Sequence, residues 1–113
     1  MNYFIYKYDK LFEVPESSYD LWYEQEKENL ILPFFEVVAD DRVYTVETMY
    51  KGCIDVDEEV LPFLLIWFED ELVITEEGVS QRYKKDTVEY FKSFFELEYR
   101  YNELKYELDL LSK

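Results

Sequence analysis

Carboxylates are the only reactive side chains this chain holds in number: 27 Asp and Glu stand against 12 Lys and Arg, with one cysteine and no histidine. Without histidine the commonest general base and a principal metal ligand are missing, so Ser/His/Asp and Cys/His arrangements are excluded. Cys53, with no base to activate it, is expected to be a packed thiol. Gly52 and Gly78 are the only glycines, too isolated for a loop that cradles phosphates. Asp55, Asp57, Glu58 and Glu59 lie close enough to suggest a hard cation. A calcium loop, however, needs Gly at its sixth position and a bidentate Glu at its twelfth, whereas this stretch runs on into Leu61 and Pro62. Paired acids for glycoside hydrolysis are a spatial matter, and the domain is small for an enclosed sugar cleft. The expectation is a protein without catalysis, metal or cofactor.

What carboxylates in bulk can do is bind. The formal charge is −15, and it is uneven: from Asp86 onward there are seven acids and four bases, which leaves 20 acids and eight bases before it. Between Lys51 and Arg82 there is no Lys or Arg, yet nine acids fall there. Such a field repels nucleic acid and anionic membranes, so no direct contact with either is expected and the partner should be a basic protein. The candidate contacts are Asp55, Asp57, Glu58, Glu59, Asp70, Glu71, Glu76 and Glu77. Residues on one strand face repeat at about 6.8 Å and one DNA strand presents a phosphate about every 3.4 Å, so carboxylates from two elements would approximate a phosphate track. Twelve tyrosines add side chains suited to contacts that are apolar and hydrogen-bonding together.

In charge and size alone, this composition resembles the DNA-mimic inhibitors of phages and mobile elements, and also the acidic immunity proteins that neutralise basic nuclease toxins. The resemblance implies an inhibitor that occupies the basic groove of a nucleic-acid-binding protein or nuclease, an RNA-guided one included, in the manner of an anti-CRISPR. The alternative is a structural or adaptor protein that dimerises or docks through its C-terminal helix, its acidity serving solubility.

The elements that must position these acids follow from pattern. Tyr3–Tyr8 is expected to be a first strand, extended by Leu11–Val14 after a turn at Asp9 and Lys10. Ser17 should open a short surface helix to about Leu30. Phe34–Ala39 and Arg42–Tyr50 form a hairpin turning at Asp40 and Asp41. In its second strand neither face is purely polar, which implies that both meet protein. Phe63–Phe68 is an apolar run suited to a central strand covered on both sides. Leu72–Thr75 should return after a turn at Asp70 and Glu71.

The clearest period lies at the end. Tyr90, Phe94, Leu97, Tyr101, Leu104, Leu108 and Leu111 fall at alternating steps of four and three, which predicts one helix over Asp86–Lys113. At about 1.5 Å per residue it would be roughly 40 Å long and would overhang the body. Two readings follow: Phe91, Phe94, Phe95 and Leu97 pack on a sheet of the same chain while the far end frays, or Tyr101, Leu104, Leu108 and Leu111 form the seam of a homodimer. The expected fold is α+β: an antiparallel sheet of four to five strands, a short N-terminal helix and a long C-terminal one, in a single domain over 1–113 with its acidic body in 1–85. A lone cysteine, no leader and no long apolar run place it in the cytoplasm.

Overall fold

The computed structural model describes residues 1–113. The chain runs β1 (Asn2–Lys7), β2 (Lys10–Val14), α1 (Glu16–Glu26), a 3-10 turn (Lys27–Asn29), β3 (Phe35–Ala39), β4 (Arg42–Tyr50), β5 (Cys53–Ile54), β6 (Phe63–Thr75), β7 (Gly78–Phe91) and α2 (Phe94–Leu111). It is an α+β fold, as expected, but its strands form two antiparallel sheets: a small one in the order β2-β1-β5 and a larger one in the order β3-β4-β6-β7.

Aspartate makes two of the tight turns. Asp9, with Tyr8, turns β1 into β2 at φ of 58° and 55°, and Asp40 turns β3 into β4 at φ 56°; a short polar side chain tolerates the left-handed region that most residues avoid. The first helix starts two residues earlier than a cap at Ser17 predicts. Pro15, at φ −63°, stands at its N-cap with no side-chain cap bond.

The second half departs further from expectation. Asp70 and Glu71 do not turn. The strand runs straight through them, because alternation sends Asp70 to one face and Glu71 to the other, where Arg42, Arg82 and Lys84 hold its carboxylate at 3.5, 3.8 and 3.2 Å. The turn comes at Glu76 and Glu77 and closes on Gly78, whose φ of 124° only glycine adopts without strain. Gly78–Phe91 is therefore a strand, in place of a linker and the first turns of the helix. The helix begins at Phe94, where the Ser93 hydroxyl accepts from the Glu96 N–H at 3.2 Å and the Glu96 carboxylate accepts from the Lys92 N–H at 3.1 Å. Neither Asp86 nor Thr87 caps it. Its 18 residues span only about 27 Å, so it does not overhang. The protruding element is the β6–β7 ribbon beyond Arg42, the last β4 residue paired with β6, opposite Glu71. Beyond Leu72, whose N–H still donates to the Asp41 carbonyl at 2.7 Å, Val73–Ser80 extend past the sheet as a two-stranded arm, consistent with a molecule 55 Å long and 27 Å across.

The core lies on one face of the large sheet. Val46 and Tyr50 of β4, and Phe63 and Leu65 of β6, meet Leu97, Tyr101, Leu104 and Leu108 of α2, with Tyr19 and Leu30 closing one end. Tyr6 brings the small sheet against Phe63, ring centroids 4.9 Å apart. The Tyr50 hydroxyl donates to the Phe4 carbonyl at 2.6 Å. This burial corrects the expected dimer seam: Tyr101, Leu104 and Leu108 are 5% exposed or less inside the chain's own core, and only Leu111 is exposed. Apolar side chains that already face a sheet in cis have no surface left for a second helix.

Candidate protein-docking face

Strand alternation sorts the large sheet into two faces, and the registers fix which residue lies on which. The inner face carries Tyr44, Val46, Thr48 and Tyr50 of β4 and Phe63, Leu65, Trp67 and Glu69 of β6; α2 packs across it, while α1, packed on β1, reaches it through Trp22 and Tyr23 at Tyr50. The outer face carries Val38 of β3, Val43 and Met49 of β4, Leu64, Ile66 and Phe68 of β6, and Val88 and Tyr90 of β7. No helix or strand lies across it: Val38, Met49, Val88 and Tyr90 are exposed and Leu64, Ile66 and Phe68 half-buried, although Val43 is buried. The face continues through Leu72 onto the arm, with Ile74 on β6 and Val79 on β7. Ile74 is 85% exposed, the most exposed large apolar side chain of the molecule. The sequence predicts that both faces of β4 and of the Phe63–Phe68 run meet protein; within this chain only one does.

The same alternation sorts the strand cations, although acids fall on both faces, with Glu69, Glu71 and Glu89 inward. The large sheet holds four strand cations. Arg42, Arg82 and Lys85 fall on the inner face by register, and Lys84, at the bulge opposite Glu69 and Asp70, reaches inward to Glu71. The outer face holds Glu36, Glu47, Asp70 and Asp86, one acid per strand, and no strand cation. Lys51, just past β4, lines a shallow groove of about 390 Å³ where Glu58 and Glu59 meet Leu64 and Tyr90, and Lys92 stands just past β7.

The acids singled out from sequence are accordingly not one track. Asp55, Asp57, Glu58 and Glu59 form the loop between β5 and β6, closed by a 3.0 Å bond from the Glu58 N–H to the Asp55 carbonyl. Glu59 pairs loosely with Lys92 at 3.9 Å. Asp70 lies within the outer face and accepts from Gln81 Nε2 at 2.7 Å. Glu76 and Glu77 form the tip of the arm, at the opposite end of β6 from the loop; a 13-residue strand separates them by roughly 40 Å. Glu71 is on the wrong face, and its charge is already answered. The hydrogen bond from Lys84, followed by the charges of Lys84 and Arg42, outweighs burial and holds its carboxyl below the usual carboxylate range. That is the reverse of the rise that crowded acids would give. Glu36, Glu47 and Asp86 share the outer face and were not singled out from sequence. A single acid between apolar neighbours marks any half-solvated strand, and only the register shows that they share a face.

No three or more acidic or cysteine side chains converge as a metal site would require. No helix is long and apolar enough to cross a membrane. Comparison with known protein families, characterised proteins and solved structures finds no match for this chain.

Proposed function

We propose that this chain is a non-catalytic acidic binding protein that lays the outer face of its large sheet on a basic, partly apolar surface of another protein. The observation that carries this reading is the one-sided placement of the strand cations: all four face inward, where Glu69, Glu71 and Glu89 accompany them, while the four outward acids stand without a strand cation among aliphatic and aromatic side chains, most of them at least partly exposed. Apolar area supplies affinity once water is excluded, and acids set within it select a surface bearing Lys and Arg over other apolar ones. Surfaces of that kind hold phosphates in nucleases and other nucleic-acid-binding proteins, RNA-guided nucleases among them. Occupying such a groove would inhibit by competition, the role of an inhibitor encoded by a phage or mobile element. The acids at Glu58, Glu59, Glu76 and Glu77 extend the negative field to both ends of the face.

The test is retention of basic nucleic-acid-binding proteins from a bacterial lysate, eluted with rising salt and separately with duplex DNA. Wild-type protein should release its partner to either eluent, because paired charges are screened and DNA competes for the same groove. Asp70→Lys with Asp86→Lys should abolish retention, while Glu24→Lys with Glu28→Lys, an equal change in net charge remote from the face, should not. Equal loss in both variants, or retention insensitive to DNA, would overturn the reading.

A further inference from the structure

A second exposed apolar surface lies on the opposite side of the molecule. Phe95, Tyr99, Asn102, Tyr106 and Leu110 follow one another along α2 at steps of four, three, four and four residues, about 180° around the helix from the buried stripe. Phe95, Tyr99 and Tyr106 are each about two-thirds exposed or more, and Leu110 is half exposed. The stripe is flanked by two surface grooves, one of about 690 Å³ against Tyr90 and Phe91 of β7, the other of about 490 Å³ against Phe35 and Val37 of β3.

Its sequence is self-complementary when reversed. Positions 95 and 110, 99 and 106, and 102 and 103 are symmetric about one point between Asn102 and Glu103. Two copies of α2 laid antiparallel about a two-fold axis there would place Phe95 on the second copy's Leu110 and Tyr99 on its Tyr106, with the two Asn102 amides meeting near the axis. A two-fold operation also brings like flank to like flank. On one flank Glu98 meets the second copy's Lys105. On the other, Arg100, which here pairs with Glu89 at 3.0 Å and Glu103 at 2.6 Å, meets the second copy's Glu103 and Glu107. The two Glu103 carboxylates approach each other at the axis with both Arg100 guanidiniums beside them. A single polar residue in an apolar helix seam is the device that fixes register and orientation in paired helices.

We infer that α2 pairs antiparallel with α2 of a second copy through this outward stripe, and that Asn102 sets the register. The occupant is a second copy because the stripe matches its own reverse in side-chain size and in charge. The outer face of the sheet has no such property: against itself it would set four acids opposite four acids. The inference rests on α2 alone and is independent of the function proposed for the sheet. In the dimer the two outer faces point away from each other, leaving each free for a partner.

Sedimentation equilibrium and cysteine cross-linking test this together. At about 100 μM the protein should sediment as a dimer, and because each copy carries −15 added salt should strengthen the association. Tyr99→Glu with Tyr106→Glu should give a monomer with unchanged circular dichroism, since both side chains are exposed. In a Cys53→Ser background, Asn102→Cys should form an intermolecular disulfide under mild oxidation. Leu110→Cys should not, because antiparallel pairing holds the two 110 positions about 22 Å apart, far beyond disulfide reach. Cross-linking at both positions would mean parallel helices and overturn the register. A monomer at that concentration, or a dimer that survives the double Glu variant, would overturn the interface.

Discussion

The hydroxyl of Tyr101 donates a 2.6 Å hydrogen bond to the carbonyl of Pro33, tying the middle of α2 to the segment that leads into β3. The phenol ring also meets Phe35 edge-on at 5.3 Å, and burial raises its pKa, so the hydroxyl keeps its proton through the physiological range. Tyr101→Phe keeps the ring and leaves the Pro33 carbonyl without its donor. It should cost about 1–2 kcal/mol of stability, measured as a lower urea midpoint with unchanged slope.

Gly52 is held at a closer approach. A Cβ there would lie 2.6 Å from the Phe4 carbonyl oxygen, 2.7 Å from Tyr19 Cε2 and 2.8 Å from Tyr50 Cε1. The Phe4 N–H also donates to the Gly52 carbonyl at 2.9 Å. Neither side can yield cheaply, since one is backbone and the other is packed aromatic core. Gly52→Ala should therefore destabilise by about 2–3 kcal/mol, visible as a fall in thermal midpoint.

The assignment of inner and outer faces is tested by two adjacent residues of β6. Leu65 is fully buried against α2, while Ile66 points away onto the uncovered face. Leu65→Ala should cost about 2–5 kcal/mol through lost burial and a residual cavity. Ile66→Thr, which keeps the β-branch, should cost about 1 kcal/mol or less. Chemical denaturation of the two variants should separate them clearly; similar losses would mean that the outer face is covered.

Glu71 gives the fold an acid-sensitive contact. Its folded pKa lies below the unfolded value, so its contribution to stability is fully present above the ordinary Glu pKa and is lost as pH falls through the depressed folded value. Wild-type protein should therefore lose more stability than Glu71→Gln on acidification below about pH 4.5. Near neutrality the variant should be the less stable of the two, because Arg82 and Lys84 then lose their acid and Arg42 keeps only Asp41, at 3.3 Å. Denaturant midpoints across pH 3–7 would show both.

The first half of the fold was legible because single residues decide it. Asp40 tolerates positive φ, so the β3–β4 turn followed from residue type. The second half was not, because a period crossed a boundary. Tyr90 and Phe94 continue the four-and-three spacing of Leu97, Tyr101, Leu104 and Leu108, yet Tyr90 is in β7 and points to the outer face of the sheet. The decisive local signal was Ser93 with Glu96, a helix start more ordinary than Asp86 with Glu89. Two adjacent acids at Asp70 and Glu71 suggested a turn, but three cations from neighbouring strands make Glu71 a strand residue, and those pairings exist only after folding. The acids of the outer face were individually visible; their common side was not, since it depends on pairings between residues 9 to 27 positions apart.

β6 joins two mechanical regimes in one uninterrupted backbone. At Phe63 it is inside the core, while from Val73 to Thr75 its only ladder partner is β7. A two-stranded ribbon of this kind opens and closes at little free energy, whereas the amides around Leu65 are released only when the whole domain unfolds. Amide exchange along this single strand should thus run from fast at Thr75 to slow at Leu65. The arm can reshape itself to a target's contour while its root stays fixed.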